Sequence, residues 1–416
     1  MKRSVSFASV LGLFVAVSAF AADLRAPFDF ETTAVLPQGV RNPRFKNLIM
    51  PMDQKFGGSG GVEPLGYKLN KVVSWQDVID GQTDPTLRAV TEGKIDSLGF
   101  SKNGAAGRTA GVVNTYANVR VPVFAVGVTP RLTMAVAIPV LDVQVNADTG
   151  FASTAEGQQL ISSIREDDPE KAKEAQDKLN NSVNTKLKRL GYDEIHSTRV
   201  SNIGDVKVVG KYQTYEDSAN ALALKGEVTL PTGTPPNVNK ALDVPTGDGQ
   251  TDVGAMVIYD RYLTHDKAFK ANAYAGYTVQ TPDTIERRLP VSEDDSLSAD
   301  KEELERDLGD IISIGTGLSY QFAWGFNMGA AYGFQHQNKV SYSGSKFPRY
   351  RYNLLETNTR QVLHSATLGV GYSTVDLFKA KQFVLPMQLN FAYCKPIKGM
   401  NVVKNELLAF EVVLFF

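Results

Sequence analysis

The last nine residues constrain the fold most. Counting back from Phe416, Leu414, Val412, Phe410 and Leu408 are apolar at every second position, with Glu411 and Ala409 between them. A period of two belongs to an extended strand with two unlike faces. An apolar face closing on a terminal aromatic residue fits a strand with lipid on one side and a lumen on the other, although Val413 and Phe415 make the second face partly apolar too.

The same alternation recurs upstream and assigns faces by parity. Val113, Thr115, Ala117, Val119 and Val121 are read as lipid-facing, which turns Asn114, Tyr116, Asn118 and Arg120 toward the lumen. Leu222, Leu224, Gly226, Val228 and Leu230 oppose Lys225, Glu227 and Thr229. Ile312, Ile314, Thr316, Leu318 and Tyr320 oppose Ser313, Gly315, Gly317, Ser319 and Gln321. In one strand the apolar set moves from Leu132, Met134, Val136 and Ile138 to Leu141, Val143 and Val145, a change of parity beside Pro139 that predicts a β-bulge.

Strands are expected at 38–52, 112–126, 132–146, 203–214, 220–230, 252–263, 268–279, 310–322, 326–339, 361–374, 383–394 and 405–416. Their connections alternate between short turns and long loops, of which 53–111 and 147–202 are the longest. That asymmetry separates a periplasmic from an extracellular face. The predicted fold is therefore an all-β membrane protein, an antiparallel transmembrane β-barrel of about 12 strands with helical insertions in its long extracellular loops. Phe322, Trp324 and Phe326 surround one short turn, with Phe269, Tyr372, Phe383 and Phe416 at the same level and Tyr277, Phe334 and Tyr393 toward the other rim, so two aromatic girdles are expected.

Export is the second constraint. Lys2 and Arg3, an apolar run from Val10 to Phe20 and the small-x-small triplet Ala19-Phe20-Ala21 read as a cleaved signal peptide over residues 1–21. The run is shorter than the roughly 20 residues of a spanning helix, and later apolar runs are interrupted. Residues 22–416 are then one bacterial outer-membrane domain. A composition of 43% hydrophobic residues, 35 glycines and a net charge of -1 suits a barrel with an aqueous interior and gives no sign of nucleic-acid binding. With one cysteine, Cys394, no intramolecular disulfide forms, and none follows the cleavage site to carry a lipid anchor.

Two loops contain helical patterns. Asp168 can cap a helix that starts at Pro169 and carries Ala172, Ala175, Leu179, Val183, Leu187 and Leu190 as an apolar stripe ending at Gly191. Its stripe covers either the lumen, as a lid, or neighbouring loops outside, the plainer reading. A weaker pattern from Trp75 to Ile95 is its candidate packing partner. The acidic stretch from Glu286 to Asp307, with Glu293-Asp294-Asp295 and Glu302-Glu303, reads as a solvated surface rather than a cation site.

Leu36-Pro37-Gln38-Gly39, Leu230-Pro231-Thr232-Gly233 and Gly247-Asp248-Gly249-Gln250-Thr251-Asp252-Val253-Gly254, with the weaker Gly315-Thr316-Gly317, resemble the outer-membrane family associated with phenol meta-cleavage pathways. That family is grouped loosely with FadL-type transporters of hydrophobic compounds, so the resemblance implies transport. The helical insertions depart from the family's compact pattern. Physically the motifs are turn chemistry, since Pro231 cannot donate to a ladder and Gly233 tolerates positive φ. The C-terminal strand likewise resembles the signal that hands such proteins to the barrel assembly machinery.

Functional residues are sought in the lumen. Parity points Tyr116, Arg120, Lys207, Lys211, Lys225, Glu227, Lys270, Asn272 and Tyr274 inward, where mixed charges form either a solute path or a filling network of ion pairs. A porin-like channel passing small, hydrophobic or aromatic molecules is the leading reading. The alternatives are a non-conducting surface barrel whose loops bind a partner, and a lipid hydrolase. For hydrolysis, His336 and His364 share the lipid-facing parity, but Ser365, Ser373 and, if its strand continues, Ser341 fall on the lumenal side. His196 and His265 lie in loop or turn. No catalytic residue, metal ligand or cofactor is assigned, and the expected partners are outer-membrane lipids, the assembly machinery and an unidentified small solute.

Overall fold

The computed structural model describes residues 31–81, 85–292 and 297–416, so the leader lies outside the described residues. Twelve antiparallel strands close into a barrel. They are β1 (Arg41–Met52), β2 (Ala105–Thr129), β3 in two pieces (Leu132–Ala137 and Val140–Ser153), β4 in two pieces (Thr198–Ile203 and Val206–Glu216), β5 (Asn220–Leu230) and β6 (Asp252–Tyr262). The second half is β7 (Phe269–Gln280), β8 (Ile311–Gln321), β9 (Phe326–Gln337), β10 (Gln361–Ser373), β11 (Met387–Met400) and β12 (Leu407–Leu414). β1 pairs with β2 on one side and β12 on the other, so the ring has no free edge in its membrane band. No helix among the described residues is long and apolar enough to cross a membrane.

Cross-strand partners point to one face, which carries the inside-outside assignment around the ring. On β12, Leu408 and Phe410 are exposed on the outer wall, while Glu411 points inward, 3.5 Å from Lys46 of β1. β5 and β8 carry their exposed apolar residues on the expected face.

β2 departs from expectation. Val113, Thr115, Ala117 and Val119 are buried inside, and Tyr116 and Arg120 are exposed outside. The register explains the inversion. Ala137 pairs with Val123 and Val140 with Arg120, so β2 and β3 stay in step past Pro139, and the hairpin's register shifts only beside its turn, between Gly127 and Thr129. Below this level the outward residues Phe124, Val126, Met134 and Val136 are apolar because they meet lipid. Above it the outward residues are Arg120, Asn118, Asp142 and Gln144, in water, while the inward ones pack on loops. The one-residue slip lies on the other side of β3, where Ala137 pairs with Lys207 but Val140 with Ile203, placing the extra residue at Gly204-Asp205 of β4.

Short connections (130–131, 217–219, 263–268, 322–325 and 374–386) lie at one end. At the other, 53–104, 154–197, 231–251, 281–310 and 338–360 are long, whereas 401–406 is short because β11 runs on to Met400. Phe269, Tyr320, Phe322, Trp324, Phe326 and Tyr372 form one chain of ring contacts at the short-turn end, with Trp324 stacked on Phe326 at 5.1 Å.

The helices are α1 (Trp75–Asp80), α2 (Pro85–Ser97), α3 (Ala155–Asp167), α4 (Pro169–Asn180), α5 (Ser182–Arg189), α6 (Arg349–Glu356) and α7 (Val375–Lys379). The single helix expected from Pro169 to Leu190 is broken at Asn181, where φ is -93° and ψ 9°. Trp75, Ile79 and Ile95 pack against Leu160 of α3, a helix the sequence reading missed, rather than against α4 or α5.

Candidate functional site: the lumen and its caps

One wall of the lumen is charged. Strand register turns Lys207 and Lys211 of β4, Lys225 and Glu227 of β5, and Lys270, Asn272 and Tyr274 of β7 to the inner face. Lys225 Nζ lies 3.5 Å from Glu227, which lies 3.4 Å from Lys207. Lower down, Asp260 of β6 is 3.5 Å from Lys270 and accepts a 2.7 Å hydrogen bond from Asn272. Asp260 is almost fully buried, so its charge needs these donors.

Residues before β1 enter this wall. Glu31 is 2.6 Å from Lys225, Lys211 donates to the Thr32 carbonyl at 2.9 Å, and Thr33 donates its N–H and hydroxyl to Asp260 at 3.0 and 2.8 Å. Leu36 N–H donates to Thr133 at 2.7 Å. This segment occupies the lumen, a placement no periodicity signalled because each bond joins groups at least 97 positions apart.

The opposite wall is apolar toward the long-loop end, and below that level it carries the inward pair Lys46–Glu411. Leu48 and Met50 of β1, Leu363 of β10, Cys394 of β11 and Leu407 of β12 belong to one buried cluster. Val183 and Leu187 of α5 are part of that cluster together with Tyr192, Ile195, Ala241, Leu242 and Val244 of the loops, so α5 packs on neighbouring loops and on the apolar wall at once.

Loop 231–251 folds inward as a second cap, with Ala241 through Asp248 buried. Asp205 accepts the Gly233 N–H at 2.9 Å, and a Cβ on Gly247 would stand 2.4 Å from the same carboxylate, so both motif glycines serve a close approach. Thr246 ties the loop to the Ile203 carbonyl at 2.8 Å. Burial pushes the Asp248 carboxyl up to about 7, with Asp252 and Asp205 adding to the rise.

Above these lies a small sheet of residues 283–288, 301–307 and 341–343, packed against α6. The acidic stretch is therefore solvated on one face only, with Glu303, Glu305 and Asp307 exposed and Glu302, Leu304 and Arg306 buried. Glu302 is buried and accepts the Tyr352 hydroxyl at 2.7 Å and the Ser345 and Lys346 N–H groups at 2.6 and 2.9 Å. Burial opposes its ionisation, but those donors hold its carboxyl below the usual range. Arg306, also buried, makes a two-point pair with Asp283 at 2.6 and 2.8 Å. Glu293-Asp294-Asp295 lies outside the described residues, among which no cluster of three or more metal-binding side chains occurs.

Two expected lumenal residues are corrected. Tyr116 and Arg120 point out of the barrel above the lipid band, where Arg120 lies 4.0 Å from Asp142, itself held by Arg199 at 2.6 and 2.8 Å. Parity had equated the apolar face with lipid, and above the membrane the apolar face is the packed one. His336 and His364 point outward, with the Tyr332 hydroxyl 2.6 Å from His364 Nδ1, while Ser365 and Ser373 lie on the inner face. Ser341 belongs to the small outer sheet, so the barrel strand does not continue to it. His196 bonds the Glu194 carbonyl at 3.1 Å and His265 lies in the 263–268 turn, and no hydrogen bond joins a serine to a histidine among the described residues.

The family model described by the MetA-pathway of phenol degradation matches residues 96–352, more than half of the chain. No curated protein sequence matches at a significant level. Among solved structures, an outer membrane channel from Pseudomonas putida F1 aligns with a TM-score of 0.52 and 11% identity over 94% of this chain and 100% of that one. The Ralstonia pickettii toluene transporter TbuX aligns over 100% of this chain and 99% of its own, at 10% identity and a TM-score of 0.37. The first likeness establishes a shared fold, and the second is too loose to add to it.

Proposed function

Because this chain belongs to the outer-membrane family described by the MetA-pathway of phenol degradation, we propose that it is a channel for passive passage of small apolar molecules, aromatic ones in particular, with no chemical step. The observation that carries this reading is the two-faced lumen. With α5 lifted from it, the buried wall of Leu48, Met50, Leu363 and Leu407 would take a planar apolar solute out of water, and a hydroxyl or carboxylate on that solute would meet Lys207, Lys211 and Lys225 on the other side. Sugars gain nothing from the apolar wall.

A second reading rests on the caps. Residues 31–36, the buried stretch 241–248 and α5 all occupy the barrel interior or its mouth, as expected for a non-conducting surface barrel.

Refolded protein in liposomes separates the two. Uptake of small phenols above the empty-liposome rate, with little uptake of sugars, supports the aromatic channel. General sugar uptake marks an unselective porin, and no uptake of either supports the closed surface barrel.

A further inference from the structure

The outer wall of β9, β10 and β11 carries an arrangement that transport does not use. Near the extracellular rim three rows of cross-strand partners face outward. They are Tyr332, Ala366 and Lys395, then Phe334, His364 and Lys398, then His336, Val362 and Met400. Partners across strands are about 5 Å apart and successive rows about 7 Å, so four basic side chains and a tyrosine hydroxyl share a patch roughly 10 by 14 Å. Lys395 and Lys398 are exposed.

Their neighbours do not neutralise them. Asp310 and Glu406, carboxylates of the same rim, each accept a tyrosine hydroxyl, from Tyr277 and Tyr393. No ion pair is formed by Lys395, Lys398 or His336 among the described residues. Tyr332 ties itself to His364 and so fixes that ring within the patch. Other sectors of the rim differ. β5 to β8 reach it with Leu230, Val253, Val279 and Ile312, and in the β2–β4 sector Arg120 and Arg199 converge on Asp142.

Directly below the basic rows the same wall is apolar and exposed, through Leu368, Val370, Met328 and Phe391. A cationic cluster over a hydrocarbon-facing bed matches an amphiphile whose head is polyanionic and whose tails lie along the barrel. Lipid exposure excludes a soluble partner from the lower half, and the level of the rim selects the outer leaflet.

We propose that this patch is a specific binding site for a phosphorylated glycolipid of the outer leaflet, of the lipid A class. Lys395 and Lys398 take the phosphates by charge, and His364, held by Tyr332, with His336 donates from the upper rows. The site is independent of whether the lumen conducts.

The full-length refolded protein in detergent is titrated with bisphosphoryl lipid A, with the same lipid enzymatically dephosphorylated, and with inorganic phosphate, and bound lipid is counted by native mass spectrometry. The expected result is a retained lipid A molecule, little retention of the dephosphorylated form, and affinity falling about tenfold or more in Lys395→Gln/Lys398→Gln and severalfold in His364→Ala. Heat-modifiable migration in gels verifies that each variant is a folded barrel. Equal retention of both lipid forms, unchanged affinity in the folded double variant, or displacement of the lipid by micromolar phosphate would each overturn the assignment.

Discussion

The ring of Tyr274 lies flat across Gly315 on the inner wall, where a methyl group on Gly315 would stand 2.3 Å from the ring's Cζ. The glycine is a seat for the aromatic side chain, which explains the residue type in the Gly315-Thr316-Gly317 motif. Gly315→Ala is therefore expected to destabilise the barrel by about 1–3 kcal/mol through overpacking. The loss is expected to shrink in the Tyr274→Ala background, where nothing remains to clash. Urea titration of the four proteins in the same detergent measures both values, and equal losses in the two backgrounds would remove the steric explanation.

Arg288 fastens the caps to one another. Its guanidinium donates to the carbonyls of Val238, Leu190, Gly191 and Ser298 at 2.6–2.9 Å and to Asn239 at 3.1 Å, and lies 3.9 Å over the Tyr192 ring. Arg288→Met leaves these buried acceptors without a donor, so loop 231–251 is expected to loosen by about 2–3 kcal/mol while the strands hold. Limited proteolysis is expected to cut within that loop in the variant only, with heat-modifiable migration unchanged.

Asp248 gives the same loop a dependence on pH. Its folded pKa, about 7, lies above the ordinary carboxyl value of 3.8 because the side chain is buried. The protonated form is the one the fold prefers, so its contribution is complete below the ordinary value and is lost as pH rises through about 7. Hydrogen exchange of residues 241–248, corrected for intrinsic rate, is expected to be faster at pH 8 than at pH 5 in the wild type. Asp248→Asn is expected to flatten that difference, and an undiminished pH response in this variant would place the titrating group elsewhere.

The segment from Glu31 to Thr33 closes the charged wall, so weakening its anchors is expected to open the lumen. Glu31→Ala/Thr33→Ala removes the ion pair to Lys225 and the hydroxyl hydrogen bond from Thr33 to Asp260, leaving only the main-chain N–H of residue 33 on that carboxylate. Liposomes holding this variant are expected to take up small sugars severalfold faster than those holding the wild type. Equal rates would show that α5 or loop 231–251 is the limiting barrier.

Local alternation made the strands legible, β5 down to both of its ends, because one face of each met lipid and the other did not. It misassigned Tyr116 and Arg120 because alternation reports which faces differ and is silent about which is inside. The interior was hidden for another reason. Glu31 with Lys225, Thr33 with Asp260 and Arg288 with Leu190 are joined across 98 to 227 positions, so no short window holds both partners. α3 escaped notice because its stripe, Leu160, Ile161 and Ile164, is brief and flanked by polar residues.

The hairpin of β2 and β3 exchanges its wet and dry sides at Arg120 and Val140 while its register runs on unbroken. Such a hairpin cannot slide along the bilayer normal. Pushing it down would drag the Asp142–Arg199 pair into hydrocarbon, and pulling it up would lift Phe124 and Met134 into water. The exchange point thus acts as a depth stop, and a bilayer thicker or thinner than the band below it must adapt around this hairpin, by local thinning or by tilt of the whole barrel.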